Sequence, residues 1–318
     1  MGTLYLDRRN LEVALESGRL RIRHPETGSR DVPLALLERV VITAGVRVDT
    51  GLFTALGAAG VAVLILNPRH PDRIAFVLGR PHNDLALRLS QYRHLDDGDW
   101  LALWARHLVT AKLRGQRQLL ADALALRPDC RRSLTQGLAR LDGALAGCAQ
   151  TADPASLRGL EGAAAAGYFK AFGALFAASL GFDGRRRRPP PDPVNALLSL
   201  SYTLLHFEAV RSAYAAGLDP YLGFYHLPAF GRESLAADLI EPLRPVADRF
   251  VWRLFAEQDI RAEHFTQDRE ACLLGKAGRA NFYGRFEEFA AGPRRRLRQQ
   301  CRALARVLRR TAPELADG

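Results

Sequence analysis

The stretch 74–92, IAFVLGRPHNDLALRLSQY, decides the fold, because the spacing of its apolar residues changes in the middle. Residues 74–78 are continuously apolar, which is typical of a buried β-strand. The segment Gly79-Arg80-Pro81 interrupts this pattern. From about Asn83 the apolar residues recur every three to four positions, which is typical of an amphipathic helix. The sequence therefore predicts an α+β protein with a domain boundary after residue 80.

Upstream of the boundary, residues 1–80 predict a small β-rich domain. Apolar and polar residues alternate in segments 4–6, 11–15 and 20–22, and Ser17-Gly18 between two of these segments predicts a hairpin turn. The continuous apolar runs 40–42 and 61–66 predict strands that are buried on both faces. Between them, residues 50–59 predict one short helix that ends at Gly60.

Downstream of the boundary, residues 81–318 predict a larger, all-helical domain. Asp153-Pro154 is a good N-cap and first-turn pair, and it predicts a helix that runs to about Leu180. Asp192-Pro193 predicts a second such start, with a helix to about Tyr214. Further helices are predicted from Ser234, from Pro245 and over residues 281–310.

Composition excludes several classes of protein. A chain of 318 residues with 48% apolar and 25% charged residues can build a core, so wholesale disorder is excluded. The longest apolar run is far shorter than the ~20 residues that cross a bilayer, and the N-terminus lacks a secretory signal pattern. The four cysteines are widely spaced, which predicts reduced thiols in a cytoplasmic protein and neither a disulfide framework nor a zinc site.

The net charge of +11 predicts an anionic partner. Nucleic acid is the leading candidate, because arginine supplies almost all of the positive charge and suits bidentate phosphate contacts. An acidic protein or a lipid surface is the alternative, and a GC-rich genome would produce the same arginine bias.

Glu161 is the most informative acidic residue. On its predicted helix it shares a face with Leu157, Ala165 and Tyr168, so its carboxylate is expected to point inward. A buried carboxylate costs several kcal/mol unless it is paired or binds a metal. An ordinary buried salt bridge and a metal site both explain this pattern.

A second group of candidate residues is formed by His226, Asp238 and Glu241. The two acids are three residues apart on a predicted helix and project from the same face, with the histidine shortly before it. Two solvated acids and a core histidine are one interpretation. A site for Mg²⁺ or Mn²⁺ is the other, since carboxylate donors with one imidazole favour these ions over structural zinc, and such an ion suits phosphoryl transfer.

Two runs of arginine are candidates for phosphate contact. One precedes three prolines and the other begins the last helix; their members are Arg185, Arg186, Arg187, Arg188, Arg294, Arg295 and Arg296. Each run is equally explained as a solvated face. Neither contains interleaved aromatic residues, which argues against sequence-specific recognition of single strands.

Three motifs in order resemble a known family, the CRISPR-associated integrase and endonuclease of spacer acquisition. They are 160–169 (LEGAAAAGYF), 188–199 (RPPPDPVNALLS) and GFYH at 223–226 followed by DLIEPLRP at 238–245. The segment 87–116, with Lys112 and Gln116, is similar to the family's first helices. The resemblance spans nearly the whole chain.

The resemblance implies a metal-dependent DNA endonuclease and integrase with a sandwich-like N-terminal domain that serves dimerisation and partner contacts. The 3′-hydroxyl of a short DNA fragment (the spacer) would attack a phosphodiester at the border of a CRISPR repeat. The implied Mg²⁺ or Mn²⁺ ligands are Glu161, His226 and Glu241, with Asp238 among or beside them. Arg232, Arg244 and the arginine runs would position phosphates.

The resemblance further implies a homodimer, and a larger integration complex with a small ferredoxin-like CRISPR-associated partner, acting in antiviral defence and not at a membrane. Two alternatives stay open. One is a hydrolytic nuclease on branched or double-stranded DNA that does not integrate. The other is a non-catalytic DNA-binding scaffold whose acids form structural salt bridges.

Overall fold

A computed structural model describes residues 2–67, 74–80, 82, 84–151, 153–186 and 189–312. The chain divides into two compact units, Met1–His82 and Asn83–Gly318. The sequence predicted this division after residue 80.

The first unit contains two four-stranded sheets, and its apolar core combines residues of both. One sheet has the order β1-β5-β7-β8 and the other the order β4-β3-β2-β6. Leu6, Val40 and Val63 of the first sheet and Val13 and Ile22 of the second belong to the same buried cluster. The sandwich-like architecture predicted for this unit is confirmed. Its elements within the described residues are β1 (Gly2–Leu6), β2 (Leu11–Glu16), β3 (Arg19–His24), β4 (Gly28–Pro33), β5 (Leu37–Ile42), β6 (Val46–Val48), α1 (Thr50–Ala58), β7 (Ala62–Leu66) and β8 (Ile74–Val77).

The turn between β2 and β3 explains their pairing. Ser17 and Gly18 have φ angles of 48° and 75°, and left-handed conformations at both central positions match the twist of an antiparallel hairpin. β2 and β3 are indeed antiparallel, with Leu15 opposite Leu20. The predicted hairpin is therefore confirmed. Strand β4 was not predicted, because its sequence, GSRDVP, has no apolar alternation and its residues lie at an exposed sheet edge.

The second unit is mostly helical. Its helices are α2 (Leu85–Arg93), α3 (Gly98–Leu126), α4 (Arg131–Gln150), α5 (Pro154–Gly173), α6 (Pro193–Ala215), α7 (Ser234–Ile240), α8 (Arg244–Ala256) and α9 (Lys276–Arg309). Both predicted N-caps are present: Asp153 accepts a hydrogen bond from Ser156 N at 2.8 Å, and Asp192 accepts one from Asn195 N at 2.8 Å.

Two details of this unit differ from the prediction. Strands β9 (Phe265–Asp268) and β10 (Ala271–Leu274) form an antiparallel hairpin, so the unit is not all-helical; four-residue strands are too short for a periodic signal. Helix α5 ends at Gly173 instead of Leu180, and a short 3₁₀ segment, Ala178–Leu180, leads to Gly181 with a φ of 67°.

In the parts of the chain that the structure describes, no helix combines the length and the apolar character needed to span a membrane. All four cysteines are free thiols, which agrees with the prediction that none forms a disulfide.

Candidate active site

Glu161 projects from α5 toward α3 and toward the loop that precedes α7. Its Oε1 forms an ion pair with Lys112 Nζ of α3, and its Oε2 accepts a hydrogen bond from Tyr225 Oη at 2.5 Å. The side chain keeps 19% of its surface exposed. The carboxylate thus points inward, as predicted, and stays accessible from one side.

Glu241 lies at the end of α7 and is buried, so it is not one of two solvated acids. Its Oε1 accepts a hydrogen bond from Arg244 Nε at 2.7 Å, and its Oε2 lies 2.6 Å from Lys112 Nζ. Burial alone would raise the pKa of Glu241, but the charges of Arg244 and Lys112 outweigh it and hold this pKa at about 2. Glu241 is therefore ionised across the physiological range.

Asp238 is completely buried and accepts five hydrogen bonds. Its Oδ2 receives Trp104 Nε1 at 3.0 Å, Phe224 N at 2.8 Å and Tyr225 N at 2.9 Å. Its Oδ1 receives His226 N and His226 Nδ1, both at 2.8 Å. A carboxylate offers about four lone-pair sites, so none is left for a metal ion. Asp238 was predicted to lie among the metal ligands or beside them, and this geometry fits the second role: Asp238 holds the loop and the imidazole in place.

This contact sets the orientation of His226. A carboxylate only accepts hydrogen bonds, so Nδ1 of the neutral imidazole carries the proton and the lone pair is on Nε2. The side chain is 29% exposed, which differs from a core histidine. Gly223 makes the tight loop possible, because a Cβ there would lie 2.6 Å from both His226 O and the carbonyl carbon of Ser234.

Lys112 and Tyr225 connect these residues into one site. The ammonium group of Lys112 contacts both Glu161 and Glu241, while Tyr225, the neighbour of His226, donates its hydroxyl to Glu161. Burial, and then the bond to Glu161, raise the pKa of Tyr225 well above its usual value, so the hydroxyl stays protonated. Three elements that are distant in sequence thus bring the predicted side chains together.

The donor set fits a hard divalent cation in its chemistry: two carboxylates and one imidazole with a lone pair on Nε2. Oε2 of Glu241 supports this fit. It is buried, and its contact with Lys112 lacks the directional geometry of a hydrogen bond, so this oxygen has a lone pair to offer a cation. Among the described residues no three His, Cys, Asp or Glu side chains are already spaced to hold a metal. The ammonium of Lys112 contacts both glutamates. Mg²⁺ or Mn²⁺ would therefore have to take its place.

Some of the arginines that were predicted to bind phosphate are exposed, and others are held by neighbouring protein groups. Arg295 and Arg296 are exposed on α9, and Arg186 is 62% exposed beside Asp183. Arg187 and Arg188 lie outside the described residues.

The other arginines have structural partners, which the sequence did not reveal. Arg185 donates to Asn195 Oδ1 at 2.9 Å and Ser199 Oγ at 3.0 Å. Arg232 donates to Leu227 O and to Ser234 Oγ. Arg244 holds Glu241 and stacks on Tyr202.

Arg294 is buried, in contrast to the prediction that it binds DNA. Its guanidinium donates to Glu208 at 2.8 Å and to both oxygens of Glu287 at 2.6 and 2.8 Å. It shares the inward stripe of α9 with Ala290, Leu297 and Cys301. A phosphate could reach it only if this network were broken.

Three functional residues were missed by sequence reasoning: Lys112, Tyr225 and Trp104. The sequence did contain a signal for Lys112. Lysine is rare in this arginine-rich chain, and Lys112 is spaced four residues from both Leu108 and Gln116, which are buried on α3. A lysine on a buried stripe requires an acidic partner.

Comparisons with known proteins identify the family of this chain. The family model described as "CRISPR associated protein Cas1" matches residues 4–288. A "CRISPR-associated endonuclease Cas1 1" of Thermodesulfovibrio yellowstonii is 36% identical over 310 residues, which cover 96% of this chain and 96% of the relative.

Two solved structures share the fold. A casposase bound to integration product has a TM-score of 0.84 at 19% identity, covering 99% of this chain and 92% of the casposase. A Cas6-RT-Cas1–Cas2 complex contains a chain with a TM-score of 0.83 at 23% identity, covering 98% of this chain and 35% of that one. At such identities these structures show the fold alone. The family model and the 36% identical relative extend over nearly all of the sequence, and the chain therefore belongs to the CRISPR-associated Cas1 family.

Proposed function

We propose that this chain is a divalent-metal-dependent DNA endonuclease and integrase that inserts short DNA fragments into a CRISPR array. The observation that carries the proposal is the convergence of Glu161, Glu241 and the loop of His226 around one cation-binding position. Residues from α5, from the loop before α7 and from the end of α7 meet there, although up to 80 positions separate them in sequence (241 − 161).

Each residue has a defined task in this proposal. Glu161 and Glu241 supply ionised oxygens, and His226 supplies Nε2, so together they would hold Mg²⁺ or Mn²⁺. Such an ion, when bound, activates an attacking hydroxyl and neutralises charge on the target phosphate. Asp238 fixes the proton of His226 on Nδ1, while Arg244 keeps Glu241 ionised and in place.

Tyr225 orients Glu161 through its hydroxyl and does not act as a base, because its pKa is raised. The exposed arginines Arg186, Arg295 and Arg296 are available to contact the DNA backbone. Phosphate contacts of this type position the nucleic acid and make binding dependent on salt.

The proposed partners are the spacer fragment and CRISPR repeat, a second copy of this chain in a homodimer, and a small ferredoxin-like CRISPR-associated protein. Two structures that share the fold support the DNA and the CRISPR-associated partner among these proposals: the casposase was solved with its integration product, and the other neighbour in a complex with Cas2. The net charge of +11 suits an anionic substrate.

Glu161→Gln tests the proposal in a strand-transfer assay with Mg²⁺ or Mn²⁺. We expect loss of at least about 100-fold in rate, because glutamine still accepts from Tyr225 but cannot supply an ionised oxygen. Glu288→Gln is the matched control, since Glu288 is 75% exposed on α9 and should leave the rate unchanged. Full activity of a folded Glu161→Gln protein would refute the assignment.

Product analysis separates the proposal from hydrolysis. Integration yields joined DNA, whereas a hydrolytic nuclease only cuts; the name of the 36% identical relative, an endonuclease, keeps the second possibility open. A non-catalytic scaffold would instead bind DNA equally well with chelator and yield neither product.

A further inference from the structure

We infer that Lys112 is an internal cation that competes with the divalent ion for Glu161 and Glu241, and thereby sets the affinity of the site for metal. This inference rests on the proposed function and deepens it. The contacts of the Lys112 side chain indicate which group the ion must displace.

Lys112 places its charge against both of these acids. The residue lies in the middle of α3, is 8% exposed, and is flanked one turn away on either side by buried Leu108 and Gln116. Its ammonium contacts Oε1 of Glu161 and Oε2 of Glu241. A buried ammonium without partners would cost several kcal/mol, so the two acids hold it where it is.

The remaining oxygens of the two glutamates are occupied as well. Oε2 of Glu161 accepts from Tyr225 Oη at 2.5 Å, and Oε1 of Glu241 accepts from Arg244 Nε at 2.7 Å. Any cation that binds both carboxylates must therefore displace a protein donor. Lys112 is the group that contacts both acids, whereas Tyr225 and Arg244 each contact one.

Charge balance also indicates that Lys112 is the group that the ion would displace. Lys112 and Arg244 already offset the two glutamates, so a divalent ion added beside them would exceed the one remaining negative charge, that of Asp238. Arg244 is additionally held over the ring of Tyr202, 4.5 Å from its centroid. The flexible lysine side chain is the one that can withdraw at least cost, since it has four rotatable bonds and, among the residues that the structure describes, no cation–π contact.

Lys112→Met tests the competition, because methionine keeps the length and packing of the side chain without its charge. We expect the variant to bind Mn²⁺ about 10- to 100-fold more tightly in calorimetry and in electron paramagnetic resonance, which is the range of one lost charge-assisted hydrogen bond. Its melting temperature in EDTA should fall, and Mn²⁺ should raise it by more than in the parent protein. Lys170→Met, an exposed site on α5, is the control and should change neither value.

The unaltered protein offers an independent measurement that does not depend on how the variant folds. The chain contains three lysines, Lys112, Lys170 and Lys276, so selective ¹³Cε-lysine labelling gives three side-chain NMR signals. On titration with Mg²⁺ the signal of Lys112 should shift while the other two stay in place.

The outcomes separate the inference from the proposed function. Tighter Mn²⁺ binding by Lys112→Met, or a Lys112 signal that alone responds to Mg²⁺, supports the competition. Equal or weaker Mn²⁺ binding by the folded variant, with an unmoved Lys112 signal in a protein that binds metal, overturns the inference and leaves the function standing. Absence of metal binding in both proteins overturns both.

Discussion

The five hydrogen bonds of Asp238 make its replacement by asparagine a sharp test of how His226 is prepared for metal binding. Asparagine has nearly the shape of aspartate but one accepting oxygen and one NH₂ group. The oxygen is expected to take the Oδ2 position, where Trp104 Nε1 and the amides of Phe224 and Tyr225 donate. The NH₂ group then faces His226.

The structural cost follows from this arrangement. The backbone N–H of His226 loses its acceptor, which costs about 1–3 kcal/mol for a buried donor. The three bonds on the other side lose their charge assistance, at about 1 kcal/mol each. Asp238→Asn should therefore lower the free energy of unfolding by about 4–6 kcal/mol in urea denaturation. Asp142→Asn, at a side chain that is 51% exposed, should change it by less than about 0.5 kcal/mol.

The chemical consequence goes beyond stability. The NH₂ group can satisfy Nδ1 of His226 only if Nδ1 becomes an acceptor, so the proton moves to Nε2 and removes the lone pair with which His226 would hold a metal ion. We expect ¹⁵N-histidine NMR to show this change of tautomer for His226, and strand transfer to fall by at least about 100-fold in protein that is still folded. An unchanged tautomer together with full activity would refute the reasoning.

Two further perturbations test the surroundings of the site. Burial raises the pKa of Asp248 to about 6, and bonds from Tyr168 and Tyr202 offset this only in part. Relative to Asp248→Asn, the protein should therefore lose about 2 kcal/mol of unfolding free energy as the pH rises from 4 to 7, measured by urea denaturation; a constant difference between the two proteins would contradict the raised pKa. Arg294→Met should cost about 1–3 kcal/mol, because it removes the hydrogen bond that the guanidinium donates to the buried carboxylate of Glu208, which keeps its ion pair with Arg211 at 3.7 Å. It should not reduce the salt dependence of DNA binding, whereas Arg295→Met should reduce it without loss of stability; the reverse result would restore Arg294 as a phosphate contact.

The helical part of the fold could be predicted because its signals are local. Asp153 and Asp192 cap helices within three residues of themselves, and Glu161 lies on its inward face at the position that helical periodicity indicates. The hairpin at Ser17-Gly18 is equally local. Strands β4, β9 and β10 are short or polar, and their pairing depends on neighbours that the sequence pattern does not identify.

The misassigned Arg294 shows how a composition signal can override a periodic one. The run 294–296 suggests a single basic surface, but successive residues of a helix point about 100° apart. Arg294 falls on the stripe of Ala290, Leu297 and Cys301, and this register alone would have placed it inside. A buried arginine then requires acids, which Glu208 and Glu287 supply.

The remaining features of the site depend on contacts between residues far apart in sequence. Trp104 and Asp238 are 134 positions apart, and Lys112 and Glu161 are 49 apart; no motif spacing encodes such pairs. Sequence reasoning therefore found the oxygen and nitrogen donors but not the cation that balances them. That balance explains why two glutamates and a completely buried aspartate can coexist at one place. Lys112 and Arg244 neutralise the glutamates in advance. Under the competition proposed above, metal affinity would depend on how readily the lysine is displaced, and the identity of residue 112 should affect it as directly as the acids themselves.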